Sequence, residues 1–250
     1  MPVRLRDVAQ LARACSGDAL VLWGAQAMGP GVRAWALGEA VAVAVACPDL
    51  NRRDRLTVYG QADAVGALLE GLLEEVGPSY RVMGERKLVE QVVARSARLR
   101  PLGVFEWMEA AASALTWPRP EAGAEWLGAA EEGQVAALLA RAAPGSWAAP
   151  GVAGVRRWAG VRGQDGHLVA VAADAWSCAQ VGFVAGVATA PAVRGHGHGG
   201  AVCRFVLGEL AAAHERVALM VDTGNHAAIA LYERLGLRGR PLAAAALDGA

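Results

Sequence analysis

The chain has 250 residues, of which 54% are hydrophobic and 19% charged, and its 24 basic residues balance its 24 acidic ones. This composition excludes an intrinsically disordered or collagen-like chain, because neither contains so much apolar material for a packed core. The balanced charge argues against a nucleic-acid partner, which would require an excess of Lys and Arg. The length fits one large domain or two small ones.

The N-terminal segment lacks the uninterrupted apolar stretch of a signal peptide, and the long uncharged run 175–193 is interrupted by glycines and a proline. We therefore expect a cytoplasmic protein with no membrane partner. The four cysteines, Cys15, Cys47, Cys178 and Cys203, have no CxxC spacing. They are expected to be buried free thiols.

A break in periodicity at 116–123, with two prolines and a glycine, predicts a boundary between an upstream domain, 1–117, and a downstream domain, 124–250, joined by the linker 118–123. The elements predicted upstream are, in chain order, a helix over 3–14, strands over 19–23, 32–37, 41–47 and 56–59, a helix from the cap Asp63 to Val76, a strand over 80–83, a helix over 85–97 and a strand over 104–108.

The elements predicted downstream are a helix over 131–142, two strands over 155–162 and 167–173 joined by an Asp-Gly hairpin turn, a buried strand over 180–189, a helix over 199–214, a strand over 217–221, a helix over 226–235 and a short strand over 242–247. Both parts show a helix, then antiparallel strands, then alternating helices and strands. This shared order indicates a duplicated α/β (α+β) unit.

A glycine-rich loop, Gly195-His-Gly-His-Gly-Gly200, stands between the predicted strand ending at Thr189 and the next predicted helix. Glycines let backbone N–H groups turn toward a ligand, and a helix start adds unpaired donors and a partial positive charge. With Arg194 beside it, the loop is typical of a phosphate or pyrophosphate cradle. A flexible surface loop with a helix cap is the alternative.

The same loop also fits the dinucleotide pattern GxGxxG, and Asp222 stands at a strand end downstream as a ribose-binding acid would. Two features exclude that interpretation. Residues 191–194 separate the glycines from the strand, and too little chain follows Asp222 for the remaining βα units of a dinucleotide domain.

A different pattern fits better. Arg194-x-x-Gly197-x-Gly199, preceded by Thr189-x-Pro191, resembles the coenzyme A pyrophosphate loop of the GNAT superfamily of N-acetyltransferases. The segment from Asn225 to Leu237 is similar to the penultimate helix of that superfamily. The chain looks like the two-domain members, similar to FR47-like and glycine N-acyltransferase-like proteins, with tandem mixed-sheet domains of which the N-terminal one is degenerate.

The resemblance implies acetyl-coenzyme A as cosubstrate. The residues that it assigns to cofactor binding are Val187, Ala188 and Thr189 at the strand end, Arg194, Gly195, His196, Gly197, His198, Gly199 and Gly200 in the loop, and Asn225 on the pantetheine side. It places Tyr232 near the thioester sulfur as the general acid, and a packing role as a core aromatic residue is the alternative for Tyr232. Asn225 and Tyr232 are two helical turns apart and so share one helix face, although Asn225 could instead be a helix N-cap.

No general base stands out among Asp174, Asp222 and Glu233, and ordered water is an alternative proton acceptor. A metal site is not expected, because the histidines of the loop have no matching Cys or carboxylate ligands. Trp147, Trp158 and Trp176 could border the acceptor groove, but packing roles are favoured for all three. Upstream, Tyr59-Gly-Gln-Ala-Asp63 stands where a phosphate loop would be, so only one coenzyme A is expected per chain.

These observations predict an N-acetyltransferase acting on the amine of a small molecule or amino acid by direct attack. A protein N-terminus or lysine is the second acceptor class. A coenzyme A-binding regulatory module without turnover is the non-enzymatic alternative. A homodimer is left open.

Overall fold

The structure, a computed structural model, describes residues 1–38, 41–115 and 123–248. Its strands are β1 (Val3–Leu5), β2 (Arg33–Leu37), β3 (Ala42–Leu50), β4 (Arg53–Gly60), β5 (Arg81–Glu85), β6 (Leu99–Ala111), β7 (Ala124–Trp126), β8 (Val155–Arg162), β9 (Leu168–Ala175), β10 (Val181–Thr189), β11 (Arg216–Asp222) and β12 (Arg238–Leu247). Its α-helices are α1 (Val8–Ala14), α2 (Ala19–Gly24), α3 (Ala62–Val76), α4 (Arg86–Arg95), α5 (Glu132–Ala142), α6 (His198–Ala211) and α7 (His226–Arg234).

The described strands form one mixed sheet that runs through both halves of the chain, in the order β1-β2-β3-β4-β5-β12-β6-β11-β10-β9-β8-β7. The pairs β4–β5 and β10–β11 are parallel, and the other pairs are antiparallel. The upstream strand β6 lies between β11 and β12, whereas the downstream strand β12 lies between β5 and β6. Each half thus completes its sheet with a strand from the other half.

Helices cover both faces of the sheet. On one face, called here the α6 face, residues of α3 and α4 pack on the upstream strands and residues of α6 and α7 on the downstream strands. On the opposite face, called the α5 face, α1 and α2 pack upstream and α5 packs downstream. This arrangement confirms the expected α/β fold, with a large mixed sheet covered by helices in both halves.

An aromatic cluster on the α5 face joins the two halves. Trp107 of β6 packs against both Trp23 of α2 and Phe183 of β10, at centroid distances of 5.6 and 5.8 Å, and all three side chains are buried. The Trp23 indole N–H donates a hydrogen bond of 2.9 Å to the carbonyl of Trp176. The core is therefore continuous across the halves.

An ion pair also crosses between the halves. Both terminal nitrogens of Arg240, on β12, donate to the Asp18 carboxylate at 2.7 and 2.9 Å. The two parallel bonds make a bidentate pair, the strongest geometry for Arg and a carboxylate. Asp18 is also the N-cap of α2, where it accepts from the Val21 N–H at 3.1 Å.

Three predicted upstream features were wrong. The strand predicted over 19–23 is helix α2, whose six residues are all buried and so show no amphipathic alternation. The helix predicted over 3–14 is strand β1 followed by α1, which begins after its N-cap Asp7. Asp63 does not cap α3, because the N-cap position belongs to Gln61 and Asp63 lies in the first turn.

The remaining predicted elements are present, with ends shifted by a few residues, and the sequence analysis missed the short strand β7. The predicted domain boundary falls on residues 116–122, outside the described residues, so the division into 1–117 and 124–250 stays a prediction. All four cysteines are buried free thiols, as expected. In the described part of the chain, no helix is long and apolar enough to cross a bilayer.

Candidate active site

Two neighbouring parallel strands of the downstream half diverge. β10 and β11 are paired from Val181 and Arg216 as far as Val184 and Leu219. Beyond that point β10 continues to Thr189 and β11 to Asp222, but the two strands no longer pair with each other. β10 stays paired with β9. The divergence leaves the backbone of 185–189 without a strand partner on the β11 side, so this edge is open to a ligand.

A β-bulge at Gly186 shapes the open edge. The register between β9 and β10 shifts between Ala185 and Ala188, and Gly186 has φ +62°. A Cβ at this glycine would lie 2.4 Å from the ring of the buried Trp158. Only glycine therefore fits here, because other residues rarely adopt this positive φ and because a side chain would collide with Trp158. The sequence analysis did not single out Gly186, although an isolated glycine within a strand pattern is a signal for a bulge.

The glycine-rich loop presents unpaired backbone donors. Gly195 and Gly197 have φ of +82° and +85°, and Gly197 is the N-cap of α6 without a side-chain cap. Five amide N–H groups have no acceptor within the described ranges, those of Gly195, Gly197, His198, Gly199 and Gly200. Unpaired amides at a helix N-terminus form an anion-binding site. The structure thus brings the predicted loop residues together as a set of unpaired backbone donors at the start of α6.

Close packing holds this loop against the open strand. A Cβ at Gly199 would lie 2.8 Å from the hydroxyl oxygen of Thr189, so the helix start and the strand end touch there. The guanidinium of Arg194 donates to the carbonyls of Thr189, at 3.3 Å, and Ala142, at 3.1 Å. Arg194 therefore braces the loop against β10 and the end of α5. The ring of His196 turns back to the carbonyl of Arg194 at 3.0 Å.

Tyr232 lies on α7, within the core of the α6 face, and is 5% exposed. Burial raises its pKa well above the usual value of a tyrosine, and the neighbouring Cys203 adds to the shift. Its hydroxyl makes no hydrogen bond with any residue that the structure describes. A nearly buried phenol that is protonated and unpartnered can donate a proton to a ligand atom.

Asn225 caps α7, because its side-chain oxygen accepts from the Ala228 N–H at 3.2 Å. The capping role is therefore present, and it leaves the amide nitrogen available for a ligand. Of the three candidate bases, Asp174 is buried and bonded to Ser177 and Arg157. Asp222 and Glu233 are exposed, and Asp222 accepts from the Gly224 N–H.

No group of three or more His, Cys, Asp or Glu side chains in the described ranges could hold a metal ion. Trp158 and Trp176 are each 4% exposed and belong to the core, as favoured from the sequence. Trp147 is 43% exposed and lies against arginines of the upstream half.

The upstream half also has an opening beside two parallel strands, but its described residues include no glycine-rich loop like the one before α6. β4 and β5 pair only from Arg55 to Thr57, and a cleft of about 420 Å³ opens beside them. Its lining includes Gly60 and Gln61, which connect β4 directly to α3. The described upstream residues therefore contain no glycine-rich cradle comparable to that before α6.

Comparison with known proteins agrees with this geometry. Residues 161–243, which include the open strand, the loop and Tyr232, match the model of the FR47-like protein family. Over these residues the downstream half is therefore similar to FR47-like proteins. No curated protein sequence matches the chain significantly.

Solved GNAT structures resemble the chain over most of its length. One, described as an acetyltransferase from the GNAT family of Novosphingobium aromaticivorans, is 25% identical, with 78% of this chain and 88% of that chain covered and a TM-score of 0.52. A GCN5-related N-acetyltransferase from Sphaerobacter thermophilus is 18% identical, covering 99% and 95%, with a TM-score of 0.61.

A tandem GNAT protein from the clavulanic acid biosynthesis pathway is 14% identical, covering 100% and 99%, with a TM-score of 0.50. The last two similarities concern the fold alone, and they cover both halves of the chain. Together with the family match, the comparisons support an acetyltransferase in general terms.

Proposed function

We propose that the protein is an acetyl-coenzyme A-dependent N-acetyltransferase that acts on the primary amine of a small molecule or amino acid. The observation that carries the proposal is the set of five unpaired amides at the start of α6, directly beside the open edge of β10. A pyrophosphate on those amides and an extended pantetheine arm along 187–189 would satisfy donors and acceptors that the fold leaves unpaired.

Bound acetyl-coenzyme A would supply the thioester that the amine attacks. The open backbone of β10 offers N–H donors for the oxygen that gains charge during the attack. Tyr232 is the proton donor for the departing sulfur, since its phenol is protonated at neutral pH and its hydroxyl has no partner among the described residues. Asp222 and Glu233 are exposed, and Asp174 is bonded to Ser177 and Arg157, so water is the proton acceptor in this proposal.

The test is an acceptor panel with acetyl-coenzyme A in which released thiol and acetylated product are both measured. The panel contains amino acids, simple amines, peptides with free N-termini and lysine peptides. We expect turnover with members of the first two groups. Turnover confined to the peptides would indicate a protein acetyltransferase, and coenzyme A binding without any turnover would indicate a regulatory module.

A further inference from the structure

Two arginines of the upstream half approach one tryptophan of the downstream half. The guanidinium carbons of Arg53 and Arg55, on β4, lie 5.3 and 5.5 Å from the ring centroid of Trp147. Both distances fit a cation–π contact. Two like charges therefore meet at one aromatic ring, at the junction between the halves.

No carboxylate compensates these charges. Among the described residues, no Asp or Glu oxygen lies within 4 Å of either guanidinium. Arg55 is only 7% exposed, and burial together with the neighbouring Arg53 lowers its pKa to about 10. An anionic ligand beside a largely buried cation without a counter-ion would offset the desolvation of its charge.

Arg55 is oriented with its terminal nitrogens free. Its Nε donates to the carbonyl of Leu50 at 3.4 Å, which fixes the side chain in the β3–β4 turn. The two terminal nitrogens make no hydrogen bond with described residues, and neither is sealed from solvent. The two terminal nitrogens are thus hydrogen-bond donors that an anionic ligand could satisfy.

Trp147 connects this cluster to the opening between β10 and β11. Its neighbour Ala148 is fully buried on the α5 face, and a Cβ at Gly186 would lie 3.2 Å from the Ala148 Cβ. Gly186 is the bulge of the open strand. The loop amides before α6 belong to the α6 face, so the arginine cluster approaches the opening from the side opposite the pyrophosphate cradle.

Partly exposed apolar side chains lie on the same side. Phe105, Ala149, Ala185 and Met220 all pack against the buried core of the α5 face. An acceptor that enters from this side would meet the apolar side chains and the open strand, and Trp147 with its two arginines adjoins them through Ala148. Guanidinium groups pair with planar anions such as carboxylates through two parallel hydrogen bonds.

We propose that Arg53, Arg55 and Trp147 form an anion subsite that binds the carboxylate of the acceptor, so that the acceptor is an amine that also carries a carboxylate. The assignment to the acceptor rests on the proposed function. It gives the upstream half a role in specificity, because both arginines come from β4.

The first test compares matched acceptors, each amino acid against its carboxamide, in steady-state assays. We expect the amide to have a kcat/KM about 10- to 100-fold lower, the range of a charge-assisted hydrogen bond. Arg55→Met should remove this preference by lowering kcat/KM for the carboxylate acceptor alone. Arg53→Met should also reduce the preference for the carboxylate acceptor. This variant provides the test if Arg55→Met does not fold.

Arg52→Met is the matched control, since Arg52 is exposed in the same turn. Arg52→Met should keep the preference for the carboxylate acceptor over its carboxamide. All three variants should bind coenzyme A with wild-type affinity. Equal losses for both acceptors in Arg55→Met and Arg53→Met would overturn the proposal, and so would a wild type that does not distinguish acid from amide.

The second test needs no turnover. Acetate, phosphate and chloride are compared at equal ionic strength for their effect on the melting temperature of the wild type and the three variants. Stabilisation by acetate that disappears in Arg55→Met and Arg53→Met but persists in Arg52→Met would support the carboxylate subsite, even if no acceptor is acetylated. Stabilisation by phosphate alone, or by acetate equally in all variants, would refute it.

Discussion

The rings of Trp23 and Phe183 stack at a centroid distance of 4.6 Å with 23° between their planes, although one belongs to α2 of the upstream half and the other to β10 of the downstream half. Phe183 precedes by three residues the bulge that opens the strand. The stack is therefore a direct buried contact between the upstream helix and the strand that carries the proposed active site.

The shared core predicts one cooperative unfolding transition for the whole chain. Trp107 is fully buried between the two halves, so Trp107→Ala should lower the free energy of unfolding by about 3–5 kcal/mol. Leu102→Ala, on an exposed side chain of the same strand, should change it by less than about 0.5 kcal/mol. Chemical denaturation followed by tryptophan fluorescence and by circular dichroism measures both. Two separate transitions in the wild type would contradict a single core.

Substitutions in the glycine loop should weaken coenzyme A binding. Gly199→Val would press against the Thr189 hydroxyl, and Gly197→Val would place a branched side chain at φ +85°. A non-glycine residue in that backbone region costs about 1–3 kcal/mol, and the loop is expected to shift to relieve it. Calorimetric titration should show at least a tenfold loss of affinity.

Gly208→Ala is the control for the loop, because Gly208 lies within α6 with open space around it. Alanine there should leave the affinity unchanged and raise the stability by about 0.5–1 kcal/mol. An unchanged affinity in Gly199→Val would remove the loop from the binding site.

Tyr232→Phe should lower kcat by about 10²- to 10⁴-fold, the usual contribution of general acid catalysis, with little change in coenzyme A affinity or stability. Because burial raises the pKa of Tyr232, its proton stays bound well into the alkaline range. The alkaline limb of the wild-type pH profile should therefore persist unchanged in the Phe variant. Tyr59→Phe, at a half-buried tyrosine upstream, serves as the control. Wild-type kcat in Tyr232→Phe, where chemistry limits the rate, would leave water as the donor.

A binding titration should saturate at one coenzyme A per chain. The upstream strand β4 enters α3 through Gly60 and Gln61, without an intervening loop of amides. Gly197→Val should then abolish the only saturable site. Two equivalents bound by the wild type, with one surviving in Gly197→Val, would show that the upstream cleft also binds the cosubstrate.

The cysteines should not react with a disulfide reagent in the native protein. Burial raises the pKa of Cys203 to about 12, and burial together with Asp54 and Asp49 raises that of Cys47 to about 12. The pKa values of Cys15 and Cys178 are raised as well, again chiefly by burial. The thiol, not the reactive thiolate, is therefore present at mildly alkaline pH. All four should react after denaturation, and rapid labelling of the native protein would contradict the structure.

The sequence was informative where a local pattern determines the structure. The glycine loop before α6 and the end of α3 at Val76 depend on short stretches with strong backbone preferences, and both were predicted. Helix α2 was missed because the same pattern of buried residues suits a strand. The strand exchange could not be predicted, because pairing between β6 and β12 depends on distant segments and leaves no local signal. The arginine cluster on Trp147 joins two halves of the chain and was missed for the same reason.

The position of β12 has a consequence for the synthesis of the protein. All α-helices and strands of the upstream half precede residue Ala111 or end there. The strand that lies between β5 and β6, however, is β12, which ends at Leu247. On the ribosome, the facing edges of β5 and β6 thus stay unpaired while the whole downstream half is translated. Exposed edges of this kind attract other strands, so the nascent chain depends on protection of these edges until translation reaches β12.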